Sequence, residues 1–147
     1  MTSASIEPFA QAHLDGLIAL VTAEGWTEYT DDVERTYRAL TAPGVTTLVA
    51  LGGGHVVGAI QIQSDGLIQA HVSMLLIDRN WRGGGLGSRL LREGLERAGG
   101  LQLDIRTRTE GYYERLGASR SLGFRLTRED LGLSHKAPKS GRQQRVG

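Results

Sequence analysis

The sequence predicts an α/β domain built on a mixed sheet that is mostly antiparallel and is flanked by helices. Three observations carry this. Three strand-like runs follow one another through glycine turns between Val45 and Ile77. A glycine-rich loop then opens an amphipathic helix from Gly87 to Ala98. The alternating run "LQLDIRT" comes next, and strand, helix, strand implies a right-handed crossover and therefore one parallel pair.

The elements can be justified in order. "IEPFAQAHLDGLIALVTAEG" places Ala10, Leu14, Leu17, Ile18 and Val21 at helical spacing, with Gly25 as the stop. "YTDDVERTYRALTAPG" offers Thr30 or Asp31 as N-cap, acids in the first turn, and Val33, Tyr37 and Leu40 on one face before Pro43 and Gly44 end the helix. "VTTLVAL", "GGG" and "HVVGAIQIQSDG" form a hairpin signature, and "IQAHVSMLLI" extends it to a three-stranded meander. The helix that follows carries Leu86, Leu90, Leu91, Leu95 and Ala98 as an apolar stripe. In the last clear strand, Leu101, Leu103 and Ile105 share a face.

Composition narrows the chemistry. The 147 residues suit one domain over 1–133, followed by a basic tail, 134–147, whose Gly, Pro, Ser and Gln content predicts disorder. No cysteine is present, which removes disulfides, thiolate metal sites and a cysteine nucleophile, and no metal site is expected. Of the 17 basic side chains the tail holds four, leaving 13 against 16 acids in the body, a net charge of −3 that makes a poor footprint for nucleic acid. The first thirty residues lack a basic start and have Glu7, His13 and Asp15 among their apolar positions, so neither a signal peptide nor a membrane span is predicted and a cytoplasmic location is expected.

The stretch "RNWRGGGLGSRLL" removes side chains where a helix begins. Glycine there permits positive φ and lets another molecule approach the backbone, while a helix N-terminus presents unpaired N–H groups and partial positive charge. The natural guest is a phosphate or pyrophosphate. A Walker loop would need a lysine after its last glycine, and the only lysines are Lys136 and Lys139. A dinucleotide fingerprint fails as well, because Gly83 and Gly85 are followed by Ser88 at its sixth position and "LQLDIRT" ends without an acid.

What remains, Arg82-Gly83-Gly84-Gly85-Leu86-Gly87, resembles the acetyl-CoA motif of the GNAT superfamily of N-acetyltransferases, Arg/Gln-x-x-Gly-x-Gly/Ala. "LLIDRNW" looks like that family's fourth strand entering the loop, and "YYERLG" like its tyrosine-bearing helix. The resemblance implies a GNAT-like sheet with strands four and five parallel and splayed. It implies that main-chain N–H groups from Gly83, Gly84, Gly85, Leu86, Gly87 and Ser88 cradle the pyrophosphate of acetyl-CoA, with Arg82 at the loop's start. It also implies that Leu75, Leu76 and Ile77 offer main-chain groups to the pantetheine arm, as an added strand would.

Transfer to an amine needs a neutral amine, a donor for the oxyanion and a proton for the departing thiolate. By resemblance a main-chain N–H near Ile77 serves the oxyanion and Tyr113 is the acid. Its plainer role would be a half-buried helix residue whose hydroxyl caps a neighbour. His71 lies six residues before Ile77, on the same face by strand parity, where histone-type members of the family carry a general-base glutamate. A solvated strand histidine is the plainer alternative. The acceptor wall falls on "GWTEYTDD" and Asp65, where Trp26 and Tyr29 could line a pocket and Glu28, Asp31 or Asp32 attract a cationic amine.

The expected function is acetyl-CoA-dependent N-acetyl transfer to a primary amine of a small molecule or protein by direct attack in a ternary complex. An acyl-CoA-binding regulatory module without turnover is the alternative. Family members finish with two further strands, whereas this chain supplies one, around Phe124 to Thr127. A sheet edge left open in that way suits coverage by a second subunit, so a homodimer is expected.

Overall fold

The four strand-like runs between Val45 and Ile105 become strands in the computed structural model, which describes residues 3–109 and 111–134. The chain divides into two compact units, Met1–Arg106 and Thr107–Gly147. The basic tail expected to be disordered lies, from residue 135 on, outside the described residues.

The first unit is a five-stranded sheet in the order β1-β2-β3-β4-β5, with β1 Ser5–Pro8, β2 Val45–Gly52, β3 His55–Ser64, β4 Gln69–Ile77 and β5 Gln102–Ile105. Neighbours are antiparallel except β4 and β5, which are parallel as the crossover requires. Helices α1 (Leu14–Ala23), α2 (Thr27–Thr30) and α3 (Val33–Leu40) precede β2, and α4 (Leu86–Ala98) is the crossover. Leu17, Leu20, Val21 and Leu40 pack with Val49, Ala59, Met74 and Leu76 on one face of the sheet, with Trp26 and Tyr29 at its margin. On the other face α4 approaches so closely that a Cβ on Gly94 would lie 2.7 Å from Ile62 Cδ1. Glycine there is a packing requirement.

Two expectations about the helices change. The N-cap of α3 is Asp32, one residue beyond Asp31 and two beyond Thr30, and its carboxylate accepts the Arg35 N–H at 3.0 Å. The buried positions of α3 are Thr36 and Leu40, whereas Val33 is exposed. Thr36 is drawn inward because its hydroxyl donates to Tyr29 O at 2.7 Å. At β5, Leu103 and Ile105 share a half-buried face, but Leu101, expected on that face, precedes the strand and is 81% exposed.

In the second unit α5 spans Tyr112–Arg115. The strand expected around Phe124 to Thr127 does not form. Thr127 and Asp130 exchange hydrogen bonds, main-chain N–H to side chain in both directions, at 2.9 and 3.0 Å. That reciprocal cap commits Thr127 to the turn beyond it, and Phe124 remains 83% exposed. Among the described residues no helix is long and apolar enough to cross a membrane.

Candidate functional site

The glycine loop joins the end of β4 to α4 through a 3-10 turn, Arg79–Trp81, capped by the Asp78 carboxylate. Gly83 and Gly85 have φ of +84° and +86°, and Gly85 is the N-cap of α4. A side chain at either position would be strained, which explains two of the glycines from conformation alone. A Cβ at Gly83, Gly84 or Gly85 would meet nothing within 4 Å, so all three border open space. The first intrahelical bond runs from Arg89 N–H to Gly85 O at 3.1 Å, so the N–H groups of Leu86 and Gly87 precede the helix ladder at the helix start. No acidic side chain occupies that first turn. The Leu86 side chain is buried.

Arg82 ties this loop to its surroundings. Its Nε donates to Ile77 O at 2.9 Å and its Nη2 contacts Glu24 Oε2 at 2.8 Å. The first residue of the loop therefore sits against the last residue of β4. Glu24, at the end of α1, had no signal in the sequence, because its partner lies 58 residues away.

Register decides which groups β4 offers. Asp78 N–H donates to Val57 O at 2.8 Å. The alternation of an antiparallel ladder then makes 59/76 and 61/74 the hydrogen-bonded pairs, so the N–H and C=O of Leu75 and Ile77 point away from β3. On that side pairing with β5 ends at Val72 opposite Ile105, and among the described residues no strand continues it. Strands four and five thus part company after Val72. Leu76, expected among the main-chain contributors, is corrected, since its polar groups are engaged with Ala59. Leu75 and Ile77 carry the open edge, and the Ile77 carbonyl is already taken by Arg82.

His71 is also displaced from its expected setting. Gln61 faces Met74 but Ile62 faces Val72, so Ser73 is an extra residue and β4 carries a bulge. The bulge inverts parity. His71 pairs with Gln63 and lies on the face of Gln61 and Met74, toward α1 and α3. Ile77 lies on the α4 face, where a Cβ on Gly58 would touch Ile77 Cδ1 and Leu90 Cδ1. His71 is half-buried there.

The acceptor candidates divide. Trp26 and Tyr29 are half-buried, with ring centroids 6.0 Å apart, and Glu28 and Asp31 are exposed. Asp32 is spent on the α3 cap. Asp65 is spent on the β3–β4 turn, where its carboxylate accepts the N–H groups of Leu67, Ile68 and Gln69, and these bonds hold its pKa below the usual carboxylate value. In the second unit Tyr113 is half-buried on α5, and its ring meets that of Tyr112 edge to face at 4.9 Å. Desolvation, and secondarily Tyr112, push the Tyr113 hydroxyl above its ordinary pKa of 10.0. It keeps its proton throughout the neutral range.

The Acetyltransferase (GNAT) family model matches residues 10–118. No curated protein matches the sequence significantly. Several solved structures share the fold. A GNAT family acetyltransferase from Streptococcus pneumoniae TIGR4 is 24% identical with a TM-score of 0.65, over 87% of this chain and 99% of that one. A ribosomal-protein-alanine N-acetyltransferase from Brucella melitensis biovar Abortus 2308 is 17% identical with a TM-score of 0.68, over 86% and 99%. An aminoglycoside acetyltransferase from an uncultured soil metagenomic sample, in complex with sisomicin, is 19% identical with a TM-score of 0.65, over 84% and 95%. The glycine loop, the parting of β4 from β5 and a family match over three quarters of the sequence agree, and the chain belongs to the GNAT family of acetyltransferases.

Proposed function

We propose that this GNAT protein is an acetyl-CoA-dependent N-acetyltransferase acting on a primary amine of a small molecule or protein, by direct attack in a ternary complex. One observation carries the reading: Arg82 pins the glycine loop to the end of β4, so the N-terminus of α4 and the open edge at Leu75 and Ile77 form one main-chain surface. Such a surface suits a ligand with a pyrophosphate at one end and amide groups along an extended arm. Glycine at 83, 84 and 85 leaves the room that close backbone approach requires.

Acetyl-CoA supplies the activated acetyl group. The N–H groups from Gly83 to Ser88 hold the pyrophosphate, and Leu75 with Ile77 holds the pantetheine arm. The Ile77 N–H donates to the acyl oxygen, where negative charge develops. Tyr113 donates its proton to the departing thiolate; its raised pKa keeps that proton available while lowering its acid strength. His71 accepts the amine proton from the α1–α3 face, the side on which Trp26 and Tyr29 lie. The reading includes a homodimer in which a second copy covers the outer edge of β5.

The test is an acceptor panel with detection of released thiol. Peptides with N-terminal alanine and aminoglycosides are natural first members, since structural neighbours carry those acceptors in their names. Amine-dependent thiol release supports an enzyme. Saturable acetyl-CoA binding with no release across the panel would contradict turnover.

A further inference from the structure

The bulge in β4 is held by three side chains, of which Gln61 and Ser73 have no part in the transfer chemistry. Gln61 lies in the middle of β3 between Ile60 and Ile62, is 4% exposed, and occupies a position where an apolar residue would complete the core. Burying an amide there is costly unless both of its ends are paired, and both are. Nε2 donates to Ala39 O at 3.2 Å, near the end of α3. Oε1 accepts from the Ser73 hydroxyl at 3.0 Å, and Ser73 is the surplus residue of the bulge. The Ser73 hydroxyl also lies 3.4 Å from Gln61 O. Ser73 O in turn accepts the Tyr29 hydroxyl at 3.3 Å, from α2.

We propose that Gln61, Ser73 and Tyr29 form a polar clamp whose task is to hold the bulge and so keep the edge at Leu75 and Ile77 open for the cofactor. A bulge bends its strand and interrupts pairing. Here the last pair with β5, Val72 opposite Ile105, immediately precedes Ser73. The clamp anchors that bend from three elements, β3, α2 and the end of α3. All three side chains are positioning residues. Because α2 belongs to the expected acceptor wall, the clamp also ties that wall to the cofactor edge. The inference rests on the acyl-CoA reading given above.

The test compares Ser73→Ala with Ser73→Thr, which keeps the hydroxyl, and adds Tyr29→Phe as an independent cut. Ser73→Ala raises KM for acetyl-CoA about fivefold, which corresponds to about 1 kcal/mol, while kcat changes less than twofold. Ser73→Thr restores KM. Hydrogen exchange at the Leu75 amide slows in Ser73→Ala and in Tyr29→Phe, because a relaxed strand regains a partner. A merely structural hydroxyl would lower stability without splitting KM from kcat or slowing exchange at one amide. Wild-type turnover together with unchanged KM and unchanged Leu75 exchange in both variants overturns the clamp and leaves the enzyme reading standing. Failure of the wild type to bind acetyl-CoA overturns the enzyme reading, and the proposed purpose of the clamp with it.

Discussion

Replacing Gly52 by alanine tests how the glycine loop is held in place. Gly52 is the buried last residue of β2, and a Cβ built on it would lie 2.4 Å from Cη2 and 2.5 Å from Cζ2 of Trp81. Carbon atoms prefer 3.5–4.0 Å, so the indole must move by about 1 Å or more. Overpacking of this kind costs about 1–3 kcal/mol. Loss of glycine's freedom in the unfolded chain offsets about 0.4–1 kcal/mol, because Gly52 lacks positive φ and alanine fits its backbone. The net loss is about 1–2 kcal/mol, a fall in Tm of roughly 3–6 °C for a domain of this size. Trp81 ends the 3-10 turn that delivers Arg82, so its displacement also loosens the start of the loop and raises KM for acetyl-CoA. Thermal unfolding followed by tryptophan fluorescence measures the first effect. The double variant Gly52→Ala/Trp81→Leu should lose less than the sum of its parts. A Gly52→Ala protein as stable as the wild type, with unchanged KM, would refute the reasoning.

Further outcomes follow from the same structure. Tyr113→Phe lowers kcat roughly 100-fold by removing the proposed acid, while Tyr112→Phe stays within about threefold; the reverse pattern in steady-state kinetics would move the role one residue. Because desolvation raises the Tyr113 pKa, its deprotonation limb lies above pH 10.0 and is absent from the pH–kcat profile of Tyr113→Phe. If His71 is the base, His71→Gln removes the acidic limb of the pH–kcat profile, and an unchanged profile ends that role. Asp32→Ala removes the α3 cap and costs about 1 kcal/mol in urea unfolding, with no change in KM for acetyl-CoA.

Much of this architecture was legible from periodicity. The meander, α4 and β5 rest on local alternation and on an apolar stripe, and those signals survive tertiary packing. The glycine loop was legible because Gly83 and Gly85 answer to positive φ and none of Gly83, Gly84 and Gly85 is needed to relieve a close contact. The bulge at Ser73 was not. It depends on Gln61, twelve residues away in sequence, and one extra residue is invisible to a period-two pattern. The consequence was large, because parity placed His71 on the wrong face. The α3 cap was missed by one residue, since Thr30, Asp31 and Asp32 are all competent caps and only the Arg35 N–H distinguishes them. Phe124 to Thr127 has the composition of a strand, but a two-residue cap with Asp130 outweighs it locally.

The central claim is that four glycines at the start of α4 exist to receive the pyrophosphate of acetyl-CoA. Calorimetric titration with acetyl-CoA, on the wild type and on Gly85→Glu, tests it most directly. Glutamate at 85 sets a carboxylate at the helix N-terminus where the anion would sit. The account predicts micromolar binding by the wild type that Gly85→Glu abolishes while the variant stays folded by circular dichroism. No binding by the wild type, or equal binding by both proteins, would contradict it.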